Sequence, residues 1–387
     1  MTDKKDWQRV RFGDVIDNVN DFFDRCNGEA TRYVAGEHID EGDIRVRRYG
    51  MTTDDLVPPT FNRLFKTGDV LFHSRNIKKL VSPDFDGITG EKLFILRSKN
   101  QEVLLQEFLP YLLQTERFNN YVRERWAGST NKFLNKTPLM AYEFALPPKD
   151  EQQRMVLMLD ALEDNLATLS EALESVIVLE ISRLEGALDS FQSDSLIPVE
   201  RLLMIGPRNG LSPKVNADEC GYPTLSISAV RDGRIVTEGN IKYAEITNEQ
   251  ATSFALKAND ILVVRGNGNK LLTGKCGLVG TVPKGCFYPD LLIRLQFEAN
   301  IIRPQFAALQ WNTPSVHKRL ISRAKSTNGI WKINGSDIRQ HALKVPSLEK
   351  QDALLDEIRL IRESRSNIEK RKILTQHLKG LALKKIA

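Results

Sequence analysis

PPKDEQQRMVLMLDALEDNLATLSEALESVIVLEISRLEGALDS, from Pro147 to Ser190, reads as a single long helix, launched by Pro147, Pro148 and Asp150. Proline is tolerated in a first helical turn, and an acidic residue there suits the helix dipole. Apolar residues recur at Met155, Leu159, Leu162, Leu166, Leu169, Leu173 and Val176 in alternating steps of four and three. That is the heptad rhythm of a coiled-coil seam. After Val176 the seam slips one place and continues through Ile177, Ile181, Leu184 and Leu188, as a stutter inside an unbroken helix. At about 1.5 Å per residue the helix would span roughly 60 Å. A stripe of that length needs a second helix to bury it.

The C-terminus supplies one. From Pro346 to Ala387 the chain has a second proline start, then Leu354, Ile358, Ile361, Ile368, Leu374, Leu378 and Leu381 at mostly helical spacing, with Arg365 and Lys372 interrupting. Residues 148–190 carry 3 basic and 10 acidic side chains and residues 346–387 carry 10 and 6, net charges of −7 and +4. Opposite signs favour a mixed pair over either homodimer. The plainer alternative is two unrelated surface helices.

A chain of 387 residues exceeds what one core usually holds, so two or three domains are expected. Only TDKKDWQRV follows Met1, and no apolar run approaches 18 residues, so neither a signal peptide nor a membrane span is expected and the compartment is read as cytoplasmic. Cys26, Cys220, Cys276 and Cys286 lack CxxC spacing and matching histidines, which argues against zinc and disulfide frameworks and leaves buried or idle thiols. Charge is uneven along the chain: residues 1–147 hold 22 basic and 22 acidic side chains, and residues 191–345 hold 20 and 12. A basic domain beside a neutral one suits a polyanion.

One plan is used twice. VAGEHIDEGDI (Val34 to Ile44) leads to KTGDVLF (Lys66 to Phe72), and LSISAVRDGRI (Leu225 to Ile235) leads to KANDILV (Lys257 to Val263), at a constant offset of 191. Both stretches read as strands, with Gly42 and Gly233 at a turn. GSTN at Gly128 to Asn131 is answered by KSTN at Lys325 to Asn328, and FALPPKDEQQ (Phe144 to Gln153) by ALKVPSLEKQ (Ala342 to Gln351), at offsets of 197 and 198. Between hairpin and S-T-N loop each half has one amphipathic helix, Phe108 to Val122 and Pro304 to Leu320, whose Phe118, Tyr121 and Trp311 are read as core residues. The domains expected are residues 1–147, a central helix 148–190, residues 191–345 and a C-terminal helix 346–387.

PKDEQ (Pro148 to Gln152), PSLEKQ (Pro346 to Gln351), TGDVLF, NDILV and the two S-T-N loops, in duplicated order, resemble the specificity subunits of type I restriction-modification systems over essentially the whole chain. The resemblance implies an α+β chain of two tandem target recognition domains, each followed by a long helix, the two helices pairing as an antiparallel coiled coil. It also implies a chain without chemistry of its own. Each domain would read half of a split double-stranded DNA target, and the helices would set the gap and dock two modification (methyltransferase) subunits, with restriction subunits joining through them. S-adenosylmethionine, ATP and magnesium would belong to those partners. Two heads on a stiff rod reach one face of B-DNA about one turn apart, ~34 Å between half-site centres. Because the heads differ, the site should be asymmetric.

Base edges are read by Arg on guanine and by Asn or Gln on adenine, while phosphates need only Lys, Arg, hydroxyls and amides. After TGDVLF come His73, Ser74, Arg75, Asn76, Lys78 and Lys79, too polar for a core; after NDILVV, at the equivalent place, come Arg265, Asn267, Asn269 and Lys270. These are candidate DNA loops, against the alternative of solvated loops. Ser129, Thr130, Asn131 and Lys132, with Ser326, Thr327, Asn328 and Lys332, recur in both heads and so suit phosphate contacts; helix-capping turns are the alternative. Arg45, Arg47 and Arg48 alternate along an expected strand, and Arg231 and Arg234 flank the corresponding turn.

Enzymatic patterns fall short. RGNGNKLLTGKCG (Arg265 to Gly277) misses the phosphate-loop pattern at Asn269 and Cys276, and PDFDGITGEK (Pro83 to Lys92) lacks the residue between Glu91 and Lys92 that would put both on one side of a strand. Pro58 and Pro59 are flanked by Val57 and Thr60, unlike a methyltransferase NPPY tetrad. Two other classes stay open at this point: a coiled-coil scaffold indifferent to DNA, and a self-sufficient methyltransferase or nuclease.

Overall fold

The structure is a computed structural model and describes residues 7–24, 31–53, 57–58, 60–191, 196–216, 219–327 and 329–386. Two compact units emerge, Met1–Glu171 with Glu369–Ala387, and Ala172–Ile368. The long helices run Lys149–Ser190 and Leu348–Ile386, so each unit holds one half of each helix rather than ending where a helix begins.

In the first unit Gln8–Arg11 pairs antiparallel with Glu143–Leu146, joining the start of the globule to the approach of the central helix. Two four-stranded sheets follow the orders Ile16–Asn18, Leu93–Ser98, Val70–His73, Leu80–Val81 and Gly50–Met51, Arg32–Val34, Gly87–Thr89, Arg63–Phe65. Phe12 sits at the centre of an aromatic cluster with Phe118, Tyr142 and Phe144, ring centroids 6.2 to 6.4 Å apart. Such edge and offset contacts add to what burial alone provides.

The second unit repeats the frame. Leu196–Pro198 pairs antiparallel with Ala342–Lys344, and a six-stranded sheet runs Leu203–Asn209, Leu292–Phe297, Ile261–Val264, Cys276–Leu278, Arg234–Ile235, Val230–Arg231. Trp311 is fully buried and donates from its indole to Gly274 O at 2.8 Å.

The repeated motifs turn out to be structural joints. Asp69 and Asp260, the acids of TGDVLF and NDILV, are buried and accept from Lys66 N at 2.7 Å and Lys257 N at 3.0 Å. Each closes a turn whose preceding residue is left-handed, Gly68 at φ 83° and Asn259 at φ 71°. Asn replaces Gly in the second copy because it tolerates that region better than other side chains.

Three local expectations are corrected. Each helix read between hairpin and S-T-N loop is two helices, Leu109–Gln114 with Glu116–Glu124 and Pro304–Trp311 with Pro314–Ile321. Thr115 and Thr313 break them, each in an extended conformation and each capping the following helix through its hydroxyl. Phe118 and Trp311 remain buried in the cores as expected. Second, Val34–Ile44 is not a continued strand. Residues Gly36–His38 form a 3-10 turn, and the next strand is Gly50–Met51, so Arg45, Arg47 and Arg48 lie on irregular backbone. The second copy does form the hairpin, Val230–Arg231 against Arg234–Ile235, turning at Asp232 and Gly233 with φ of 50° and 76°.

The third correction concerns the seams. In the first unit Met155, Val156 and Leu159 share a core with Ala382 and Ile386; in the second, Leu184, Ala187 and Leu188 share one with Leu354 and Ile358. Asn165 meets Thr375 at 3.2 Å and Glu163 pairs with Lys379, while Arg362 pairs with Glu180 at 2.7 Å and Arg183 pairs with Glu357. Within each unit one number rises as its partner falls, so the helices run antiparallel. Yet Leu374, Leu378 and Leu381 are 58, 46 and 44% exposed, and Ile181 is 43% exposed. The inward face follows the strict four-three step from Leu354 and Ile358 to Ile361, Arg365, Ile368, Lys372, Thr375, Lys379, Ala382 and Ile386. Geometry keeps that period even where it turns polar residues inward; the three leucines fall one position off it.

Candidate nucleic-acid interface

In the first unit strand Val70–His73 runs into the loop Ser74–Lys79. The S-T-N turn is closed by reciprocal backbone bonds between Ala127 and Phe133 at 2.8 and 3.0 Å, with Gly128 at φ 88°. Leu134 N then donates to Ser74 O at 2.8 Å, which brings the two candidate loops side by side. The second unit makes the same junction: Ile333 N donates to Arg265 O at 2.9 Å. There Gly266–Asn267 pairs with Ile330–Lys332, which pairs in turn with Lys325–Thr327. Segments more than fifty residues apart in sequence thus form one surface in each globule.

Of the first loop's side chains, some are already occupied. Lys79 Nζ donates to Gly36 O at 2.5 Å, Asn76 donates to Glu41 at 2.8 Å, and Lys78 stands 3.7 Å from the same carboxylate. The Asn76 hydrogen bond, more than the nearby lysines, holds the Glu41 carboxyl below its usual range. His73 is half-buried at the strand end and accepts at Nδ1 from Arg75 N at 3.0 Å; burial and the neighbouring cations lower its pKa, which keeps it neutral at pH 7. Ser74 works through its backbone. Arg75 and the whole Ser129, Thr130, Asn131, Lys132 turn stand exposed, as phosphate contacts require. Among the described residues no capping bond from Ser129, Thr130 or Asn131 is found, and in the second half Asn334 caps the helix Gly335–Arg339.

In the second loop Asn267 Oδ1 accepts from Asn269 N at 2.8 Å, and Asn269 Oδ1 from Leu271 N at 2.9 Å. These are successive side-chain turns that shape the loop. Arg265 reaches Asp290 O at 3.4 Å and its carboxylate at 4.0 Å. Lys270 lies 4.3 Å above the Trp331 ring, a cation–π contact that ties the loop to the hairpin. Ser326 and Lys332 are exposed; the Thr327 side chain and Asn328 lie outside the described residues. Sequence reasoning passed over Leu271, Leu272 and Ile330, which are 66, 50 and 41% exposed on this surface. The signal was a leucine pair inside an otherwise polar loop.

The remaining arginines are not brought to these surfaces. Arg45 pairs with Asp164 of the central helix, Arg47 with Asp43 at 3.0 Å and Arg48 with Asp40 at 2.5 Å. Arg231 folds back on Ser228 O at 3.0 Å, and with Arg234 it occupies the sheet edge opposite Leu203–Asn209. The incomplete phosphate loop is not one: the Lys275 ammonium is turned inward onto Asn312 O at 3.0 Å, and burial lowers its pKa. Cys276 and Cys286 are buried and their thiols are pushed up to about 12, whereas Cys220 is exposed and Cys26 lies outside the described residues. Among the described residues no group of three or more His, Cys, Asp and Glu is placed to hold a metal ion, and no helix is long and apolar enough to cross a membrane.

Two repeated α+β globules, each sharing a core with a pair of antiparallel helices, make up this chain, and the known proteins it is similar to are specificity subunits of type I restriction-modification systems. Residues 4–177 match the family model described as type I restriction modification DNA specificity domain. Among curated proteins, the EcoKI specificity subunit of Escherichia coli K12 is 23% identical over 349 residues, 80% of this chain and 75% of that one. The MjaX specificity subunit of Methanocaldococcus jannaschii, itself assigned by inference, is 27% identical over 149 residues, 37% of this chain and 34% of that one. Among solved structures, the S subunit from M. genitalium shares the fold with a TM-score of 0.57 at 14% identity, covering 98% of this chain and 96% of its own. A chain described for complex assembly and conformational transition of the type I R-M system shares it at 0.63 and 18%, covering 98 and 97%.

Proposed function

We propose that this chain selects an asymmetric, two-part duplex DNA target, one part with each globule, and directs two modification subunits to it while performing no catalysis itself. The long helices act as the spacer that fixes the gap and as the seat for those subunits, through which restriction subunits join. S-adenosylmethionine, ATP and magnesium enter with the partners, and the complex works in the cytoplasm. The observation that carries this reading is one backbone frame used twice with unlike side chains on it. Ser74 and Arg265 hold the same junction, but the loop that follows is Arg75, Asn76, Lys78 in one half and Asn267, Asn269, Lys270 in the other. A scaffold indifferent to DNA has no need of that combination of fixed frame and varied tip.

The direct test is methylation mapping of host DNA carrying this chain with its modification subunits, which should return one gapped, non-palindromic sequence. Absence of any sequence preference over random duplex would leave the scaffold reading. Inserting one heptad into the central helix should lengthen the gap and spare both half-sites; an unchanged gap would remove the spacer role. Methylation by the purified chain alone would overturn its non-catalytic part.

A further inference from the structure

The two loop surfaces differ in one chemical respect. In the first globule the only large apolar side chain of the loop Ser74–Lys79 is Ile77, which is 6% exposed and part of the core. In the second, Leu271 is 66% and Leu272 50% exposed, directly after Lys270. A leucine costs free energy in water, and the loop is not loose enough to excuse it. Leu271 N is held by Asn269 Oδ1 at 2.9 Å, Leu272 N bonds Asn269 O at 3.1 Å, and the hydroxyl of buried Thr273 reaches Trp331 O at 3.3 Å. The backbone is built to present this tip. The same surface carries cations suited to phosphates, Lys270 on Trp331 and the exposed Lys325 and Lys332 of the hairpin that pairs with Gly266–Asn267.

An apolar tip on a surface that also carries cations matches one feature of the major groove, the thymine C5-methyl group, which is the sole apolar mark a base pair presents there. We propose that Leu271 is a base-reading residue of the second globule and makes van der Waals contact with a thymine methyl, so that this half-site contains an A·T pair at a fixed position. The inference rests on the specificity-subunit reading and deepens it.

The test uses the full-length chain assembled with its modification subunits and duplexes carrying the mapped target. Each thymine is replaced in turn by uracil, which removes the methyl and keeps the hydrogen-bonding pattern. With the native chain, uracil at one position in one half-site should weaken binding about fourfold, the worth of burying one methyl-sized group. Leu271→Ala should bind the thymine and uracil duplexes equally, while Leu272→Ala, one residue along, should still discriminate. Because Leu271 is exposed, its replacement should leave thermal unfolding unchanged, and that control accompanies the binding curves. A mapped target with no A·T pair in one half-site after the other, indifference of the native chain to uracil at every position, or continued discrimination by Leu271→Ala would each overturn the proposal. Failure to prefer the target over random duplex marks a different failure, that of the specificity reading itself, and it takes this inference with it.

Discussion

Gln152 and Gln351 do the same work 199 residues apart. Each is fully buried in the first turn of its long helix. Gln152 accepts from Leu105 N at 2.9 Å and donates to Val103 O and Pro147 O, both at 2.9 Å. Gln351 accepts from Arg303 N at 2.8 Å and donates to Ile301 O at 3.1 Å and Pro346 O at 2.8 Å. One amide thereby satisfies three backbone groups and rivets the helix to the loop behind the last sheet strand. Truncating either to Ala strands those groups, at about 1–3 kcal/mol for each one left buried and unmet. Gln152→Ala should destabilise the first unit and Gln351→Ala the second, readable as hydrogen-exchange protection lost in one unit while the other is spared.

Glu163 and Lys379 face each other across the first unit's helix seam with side chains only 8 and 11% exposed. Burial raises the Glu163 pKa, with the Lys379 ammonium opposing it. Lys379→Met should cost about 3–5 kcal/mol by leaving a buried carboxylate alone, and Glu163→Leu with Lys379→Met together should recover most of that. A denaturant double-mutant cycle measures the coupling; additive losses would deny the pairing.

His341 packs edge-on to Trp311 at 4.9 Å, and its Nε2 is buried without a hydrogen-bond partner. Burial, then Arg319 and Arg323, pushes its pKa down to about 3 from 6.5. The unfolded chain therefore binds a proton that the folded one refuses between those values. Stability should fall as pH drops below about 6.5, at up to ~1.4 kcal/mol per pH unit from this group. His341→Phe should flatten that acid limb in urea titrations at pH 7, 6 and 5, and an unchanged slope would acquit the histidine.

Lys132, Lys270 and Lys332 should act as phosphate contacts. Replacing each by Ala should weaken binding to all duplexes alike and reduce the logarithmic salt slope by about 1. A changed sequence preference would instead make that lysine a base reader.

Asn267 and Asn269 should behave differently from the lysines, since their carboxamides bend the loop that carries them. Asn269→Ala should alter discrimination at one half-site only, and do so together with raised exchange at Leu271 N. Altered discrimination with that amide still protected would return Asn269 to direct base reading.

How much of this was legible beforehand follows from what each signal depends on. The paired helices were readable because a heptad stripe and a charge imbalance are local properties of Pro147 to Ser190 and of the C-terminal stretch. The inward turn of Thr375 and Lys379 was not, because hydrophobicity favoured Leu374, Leu378 and Leu381, whereas the helical period from Leu354 decided. The repeat was readable in Asp69 and Asp260, although their task in closing turns was not. PKDEQ and PSLEKQ end on the equivalent glutamines, Gln152 and Gln351, as their bonding shows, whereas the ten-residue alignment at offset 198 sets Gln153 opposite Gln351 because it leaves no gap for Lys350. The strand read for the arginines at 45, 47 and 48 does not form, and their partners, including Asp164, are distant or set by an irregular loop. Leu271 escaped notice since a search for DNA contacts looks for polarity.

Residues 369–387 belong with the first unit, and Ala382 and Ile386 lie in the same buried cluster as Leu159. On the ribosome, at about 5–20 residues per second, the whole second unit emerges before they do. The N-terminal globule must then wait ten seconds or more, incomplete, for its closing segment, so the half made first is the half that matures last. Its exposed patch during that interval is where a nascent chain of this kind would need chaperone cover.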